Sequence, residues 1–268
     1  MAERLDDLIA GKSITGVQPI QFSALKTFDP PPEAIVGHTV KRVGRRGKFL
    51  SVELEEGRIL THLSQGGRID VEKPSKATRP KNGVVRFSFD GPVGLFIKEF
   101  GTERKAGWWI LKSGVNGPLD KLGPEANSDA FAGFIMESPD RRRIHTLLRD
   151  QRTVAGVGRG YSDDILHRAR LSPYTALAAL TEEERQSLLT AINAVLDEGL
   201  QAERKRKGGL PTKLGDHWIV HGRNGQPCPR CGEELRRVSY ESHEVAYCPA
   251  CQTDGKILAD RRMSRLLR

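Results

Sequence analysis

The chain has 268 residues, more than one hydrophobic core usually organises, so two packed units plus a small appendage are expected. Lys and Arg number 43 against 34 Asp and Glu, a net charge of +9 with a pI near 9.5; this suits a polyanion such as nucleic acid, and it also describes a soluble protein with scattered surface lysines. No apolar run approaches the roughly 18 residues of a membrane span, and residues 1–11 hold no signal-peptide apolar stretch, so the chain is read as cytoplasmic with no membrane partner.

In chain order, Leu5, Leu8 and Ile9 fall on one face of a helix, with Arg4, Asp6 and Asp7 on a solvated face. Strand character follows in Thr39–Val43, Lys48–Leu54, Ile59–Leu63, Val84–Phe89 and Gly94–Lys98. Leu50, Val52 and Leu54 alternate with Phe49, Ser51 and Glu53, and Glu55-Glu-Gly-Arg58 joins two of the runs as a hairpin turn. Such strands predict an antiparallel sandwich. The turn formers Gly114-Val-Asn-Gly-Pro-Leu-Asp120 and Leu122-Gly-Pro-Glu125 mark a linker over 114–127, which separates a sandwich domain (1–113) from a helical domain (128–215). Within the latter, Leu180-Thr181 with Glu184 reads as a hydrophobic staple and capping box, followed by Leu188, Leu189, Ile192, Val195 and Leu196 at helical spacing. The charged stretch Gln201–Gly209 reads as an exposed loop, and residues 216–268 form a cysteine-bearing finger and tail. The expected class is α+β.

Two local patterns carry chemistry. Cys228-Pro-Arg-Cys231 and Cys248-Pro-Ala-Cys251, sixteen residues apart, bring four soft thiolates to one tetrahedral ion; two disulfides or four free thiols are the competing states. A four-thiolate set leaves no open position for water, so one structural Zn2+ is expected, supplying about 10 kcal/mol or more to a hairpin too small to fold alone. Arg223, Arg230, Arg236 and Arg237 add positive charge around it. In Val154–Pro173, Gly156, Gly158 and Gly160 let the backbone approach a ligand closely, with Ser162 and Asp163 read as caps of the helix beginning there. A glycine turn feeding a helix N-terminus suits phosphate, although such turns also serve only to reverse a chain.

Arg45-Arg-Gly-Lys-Phe-Leu50, His62-Leu-Ser-Gln-Gly-Gly-Arg68, Leu122-Gly-Pro-Glu125, Asp150-Gln151 leading into the glycine turn, and the knuckles ending Cys251-Gln252 occur in one order over nearly the whole chain. In that order the sequence resembles the formamidopyrimidine-DNA glycosylase and endonuclease VIII family. The resemblance implies a β-sandwich, a helix–two-turns–helix element and a C-terminal zinc finger that clamp duplex DNA. It further implies removal of oxidised bases followed by cleavage of the abasic strand, by a monomer whose partner is damaged or abasic duplex.

The family attacks the sugar with an N-terminal proline nitrogen while the next glutamate moves protons; a free α-amine, with a reference pKa of about 8, is more often neutral than a lysine. By resemblance, Lys48 assists elimination and grips phosphate. Gln65 stands where a methionine fills the gap left by the everted base, Lys98-Glu-Phe-Gly101 replaces an arginine-rich turn, and Phe100 is read as a stacking wedge, with an ordinary core phenylalanine as the competing reading. Gly158, Arg159, His145 and Lys98 are read as DNA contacts, and His243 replaces an arginine of the finger, which puts a second elimination in doubt. His62 is read as a structural hydrogen-bonding residue. The family opens with a Pro-Glu-Leu-Pro-Glu-type segment, whereas Met1–Gly11 aligns with the later part of its first helix. The expectation is therefore that the Pro-Glu pair is absent from this chain, with a non-catalytic binder of damaged or abasic DNA as the alternative function.

Overall fold

The computed structural model describes residues 1–101, 103–210, 217–240 and 243–259, with the backbone alone for Tyr240 and His243. The chain divides into two compact units. The first holds Met1–Asp120 and takes back the short segment that begins at Lys207; the second holds Lys121–Arg206 and the cysteine-bearing C-terminal part.

The first unit opens with α1 (Ala2–Ile9), which buries Leu5 and Ile9. Its polar face is less solvated than the sequence suggests. Asp6 Oδ1 accepts the Val43 N–H at 2.5 Å, and Arg4 Nη1 donates to the carbonyls of Gly208 and Gly209 at 2.9 and 2.6 Å. The strands are β1 (Ile14–Pro19), β2 (Val40–Arg46), β3 (Phe49–Leu54), β4 (Arg58–His62), β5 (Gly67–Glu72), β6 (Gly83–Phe89), β7 (Gly94–Glu99) and β8 (Gly107–Leu111). They form two antiparallel four-stranded sheets, in the orders β1-β6-β7-β5 and β2-β3-β4-β8. The hairpin turn between β3 and β4 is where the Glu-Glu-Gly sequence placed it, with Glu53 facing Arg58.

Apolar residues from both sheets and α1 make one core, in which Phe87 and Trp108 meet edge to face at 5.5 Å and 89°. An aromatic pair of this geometry adds roughly 1 kcal/mol beyond its buried area. Leu210 packs against the same core, so part of the expected 128–215 domain belongs to this unit. The reason is the pair of glycine carbonyls held by Arg4 next to an apolar side chain.

Among the described residues of the unit, the Arg86–Glu72 ion pair is the buried one. Arg86, 2% exposed, donates from Nε to Glu72 Oε2 at 2.7 Å and from Nη2 to Glu72 Oε1 at 3.2 Å, while Nη1 donates to Gln18 Oε1 and the Thr78 carbonyl. Burial alone would raise the Glu72 carboxyl, but Arg86 and the Lys76 N–H outweigh it and hold the group below its ordinary value.

The second unit contains α2 (Asp129–Glu137), α3 (Ile144–Arg149), α4 (Arg159–Arg168) and α5 (Glu182–Lys205) around Phe131, Ile135, Leu147, Ile165, Leu188 and Ile192. The Thr181–Glu184 capping box forms in full, a contribution of about 1 kcal/mol. The helix it starts runs through Lys205, so residues 201–205 are helical and not loop: Gln201-Ala-Glu-Arg-Lys205 are good helix formers, and the first glycine arrives only at Gly208. After it come β9 (Arg236–Tyr240), β10 (His243–Tyr247) and the short α6 (Pro249–Gln252).

Removing one partner of a buried ion pair strands the other, at a cost of about 3–5 kcal/mol. Arg86→Ala is expected to lose stability of that order in urea unfolding of the full chain followed by Trp fluorescence. The folded Glu72 holds its proton less tightly than the unfolded residue, so the pair's stabilisation is present at neutral pH and lost as pH falls through the carboxylate range.

Candidate functional site

In the sandwich unit, the tight turn between β2 and β3 exposes Lys48 beside His62, which ends β4 directly opposite Phe49. The His62 ring lies 4.8 Å from that of Phe49. Burial and the neighbouring Lys48 charge push its pKa below the usual histidine value, leaving a neutral imidazole beside a cation.

A second cluster joins Gln65 to Phe100. Gly66 O accepts the Phe100 N–H at 3.0 Å, and a Cβ added to Gly66 would stand 2.0 Å from Phe100 O, so only glycine permits this approach. Both side chains are exposed, Phe100 by 53%. Behind the ring, the buried Glu99 carboxylate accepts the Lys105 and Ala106 N–H groups at 2.7 and 2.9 Å and closes the base of its loop. Lys98 is ion-paired with Asp70, its Nζ 5.4 Å from the Phe100 ring centre.

In the helical unit, α3 and α4 are joined by turns that Gln151 braces. Its amide donates to Val157 O at 2.8 Å and accepts the Gly156 N–H at 3.0 Å. The helix α4 begins at Arg159 with Gly158 as N-cap and no side-chain cap, so Ser162 and Asp163 lie inside it and do not cap it, contrary to the sequence reading. Gly158 and Arg159 thus present a helix N-terminus with a cation on it. At Gly160 a Cβ would fall 2.6 Å from Trp218, so the glycine is there to let the later segment pack on the first helical turn.

That segment is held by two buried acids. Asp164 accepts the N–H groups of Ile219, Val220 and His221 at 2.8, 2.9 and 3.2 Å. Asp163 Oδ2 lies 2.7 Å from His221 Nδ1 and also takes the Ala246 N–H. Burial pushes Asp163 up to about 6 against the pull of His221, and Asp163 in turn raises His221. Neither His221 nor the two acids as ligating groups was found from sequence. An Asp-Asp pair inside a helix, followed by Ile-Leu, was the available signal, because buried acids need partners.

His145 is corrected. It is 1% exposed, with Nδ1 2.6 Å from Pro173 O and Nε2 3.2 Å from Thr146 Oγ1, so it braces the unit from inside and does not present a donor at the surface. His243 begins β10, and its side chain lies outside the described residues.

The four cysteines form no disulfide, and their sulfurs lie within 4.8 Å of one another. The Cys231–Cys248 and Cys231–Cys251 separations are 3.5 Å and Cys228–Cys251 is 3.9 Å. A disulfide needs about 2.05 Å, whereas a tetrahedron of sulfurs at about 2.3 Å from one ion has edges of about 3.8 Å. The donor set fits a metal ion. Burial pushes the Cys248 and Cys251 thiols up, so their ionisation needs a nearby cation.

Comparison with known proteins decides the family. The formamidopyrimidine-DNA glycosylase N-terminal domain matches residues 1–109 and the H2TH domain of the same glycosylase matches 122–208. The formamidopyrimidine-DNA glycosylase of Thermus thermophilus is 35% identical over 233 residues, 82% of this chain and 84% of that protein. The chain belongs to the formamidopyrimidine-DNA glycosylase family. An uncharacterized formamidopyrimidine-DNA glycosylase-like protein of Mycobacterium tuberculosis is 41% identical over 155 residues, 55% of this chain and 94% of that protein. Among solved structures, MutM (Fpg) of Thermus thermophilus superposes with a TM-score of 0.80 at 29% identity, covering 94% of this chain and 95% of that one. Lactococcus lactis Fpg has the same fold, with a TM-score of 0.83 at 24% identity, covering 94% of this chain and 96% of that one.

Within this family member, both members of the Asp163–His221 pair hold protons more tightly when folded than when unfolded. Their contribution to stability therefore falls as pH rises, first for Asp163 between about 4 and 6 and then for His221 above about 6.5. Asp163→Asn is expected to flatten the pH dependence of thermal unfolding across pH 5 to 7.5, read by circular dichroism.

Proposed function

We propose that this chain is a base-excision-repair protein of the DNA N-glycosylase and abasic-site lyase type for oxidised bases in duplex DNA, its opening residues lacking the Pro-Glu pair that such chemistry uses, with a non-catalytic binder of damaged or abasic DNA as the second reading, and that it acts as a monomer with one structural Zn2+ on Cys228, Cys231, Cys248 and Cys251. The observation that carries the reading is the family match over both units, joined to an exposed Gln65–Phe100 pair held rigidly from behind. The Lactococcus lactis Fpg structure of similar fold is a complex with DNA containing an abasic site, which supports the same partner here.

A base cannot be attacked within the stack, and turning it out costs a few kcal/mol. Phe100 would offset part of that cost by stacking on the bases left behind, with Gln65 filling the vacated space. Lys48 would grip the phosphate and assist elimination, while Gly158, Arg159 and Lys98 would position the backbone. Zinc closed by four thiolates supplies structure and no reactive position.

The test is a duplex carrying an oxidised base or an abasic site. Borohydride trapping of a covalent adduct supports the lyase chemistry; salt-sensitive binding with no adduct and no strand cleavage favours the non-catalytic binder. Affinity is expected to fall with the logarithm of salt at a slope of about −0.9 per phosphate contact. Phe100→Ala is expected to reduce the preference for damaged over undamaged duplex by roughly tenfold, about 1.4 kcal/mol of lost stacking, in competition binding. An unchanged preference removes Phe100 from its role as wedge.

A further inference from the structure

We propose that His167 is an outer-sphere donor to the metal centre, its Nε2–H bonding the Cys228 sulfur and holding that thiolate on the ion. The inference rests on the reading of the four thiols as a metal site.

His167 lies in the last turn of α4, 3% exposed, with Nε2 3.2 Å from Cys228 Sγ. At that burial water does not compete for the sulfur. The ring is not itself a ligand, because the cluster that gathers within 4.8 Å consists of the four sulfurs. Its position is also fixed from the protein side. Arg230, between the two cysteines of the first knuckle, donates from Nη1 to His167 O at 2.8 Å and from Nη2 to Arg168 O at 3.3 Å. The second knuckle reaches the same end of the helix through Gln252, whose Oε1 accepts the Cys248 N–H and whose Nε2 donates to Leu171 O, both at 2.9 Å.

The electrostatics explain why Cys228 needs such a donor. Four thiolates on a divalent ion leave two net negative charges, and Cys228, 3% exposed, cannot pass its share to water as the exposed Cys231 can. An N–H directed at a buried thiolate stabilises its charge and orients its lone pairs. It also connects the metal centre to α4, the helix that carries Gly158 and Arg159 at its other end.

The experiment uses the full chain, loaded with zinc or with cobalt, as wild type, His167→Phe, His167→Asn and His167→Gln. Glutamine can still reach the sulfur with an N–H, whereas asparagine is polar but too short. Zinc release to a chromogenic chelator is expected to be about 10–100-fold faster in the Phe and Asn variants and to recover towards wild type in Gln. In the cobalt forms, the sulfur-to-metal charge-transfer band is expected to move to lower energy in Phe and Asn, since a thiolate without its donor gives up charge more readily. A simple packing role predicts an unshifted band and no rescue by Gln. Equal release rates and identical bands in all four proteins overturn the proposal. Failure of the wild type to bind either metal overturns the metal reading itself, and is seen before any variant is compared. Should His167→Phe not fold, the Asn and Gln pair carries the same comparison.

Discussion

One buried carboxylate organises the helical unit. Asp164 is 3% exposed, and a polar group so placed costs free energy unless its oxygens find hydrogen-bond donors. It gathers three consecutive N–H groups, those of Ile219, Val220 and His221, and thereby fixes the start of the finger against the first half of α4. The neighbouring Asp163 can then meet His221, and Gly160 leaves room for Trp218. At the far end of the same helix, Arg230 and Gln252 dock the two cysteine knuckles. The helix is therefore held at both ends by the finger, through three finger N–H groups at one end and the Arg230 and Gln252 side chains at the other.

The sandwich unit meets a similar problem differently. An exposed phenylalanine is useful only if its loop does not collapse onto the surface, and here the backbone is pinned on two sides. Gly66 O holds the Phe100 N–H, and Glu99 closes the following loop onto Lys105 and Ala106. Lys98 is ion-paired with Asp70 beside this loop.

Much of this was readable in the residues. Alternating patterns located five strands, the capping box located the start of α5, and the cysteine spacing located the thiol cluster. Of the strands that escaped, β1 and β8 have identifiable reasons. β1 carries Thr15, Gly16 and Gln18 and contains an irregular register, while β8 is a five-residue apolar run with two tryptophans, equally compatible with a buried helix. His145 was misread because resemblance conveys position and not burial. Asp163, Asp164, His167 and His221 stayed hidden because each has its partner some sixty residues away, at separations no local pattern encodes.

The return of Gly208–Leu210 to the sandwich makes that unit discontinuous along the chain. During synthesis the ribosome delivers α1 and all eight strands first, but the glycine carbonyls sought by Arg4 and the Leu210 side chain emerge only after α5 is complete. A nascent sandwich therefore lacks these contacts to Arg4 and the core until the helices have been translated, and any shortened product ending before Lys207 would lack them throughout.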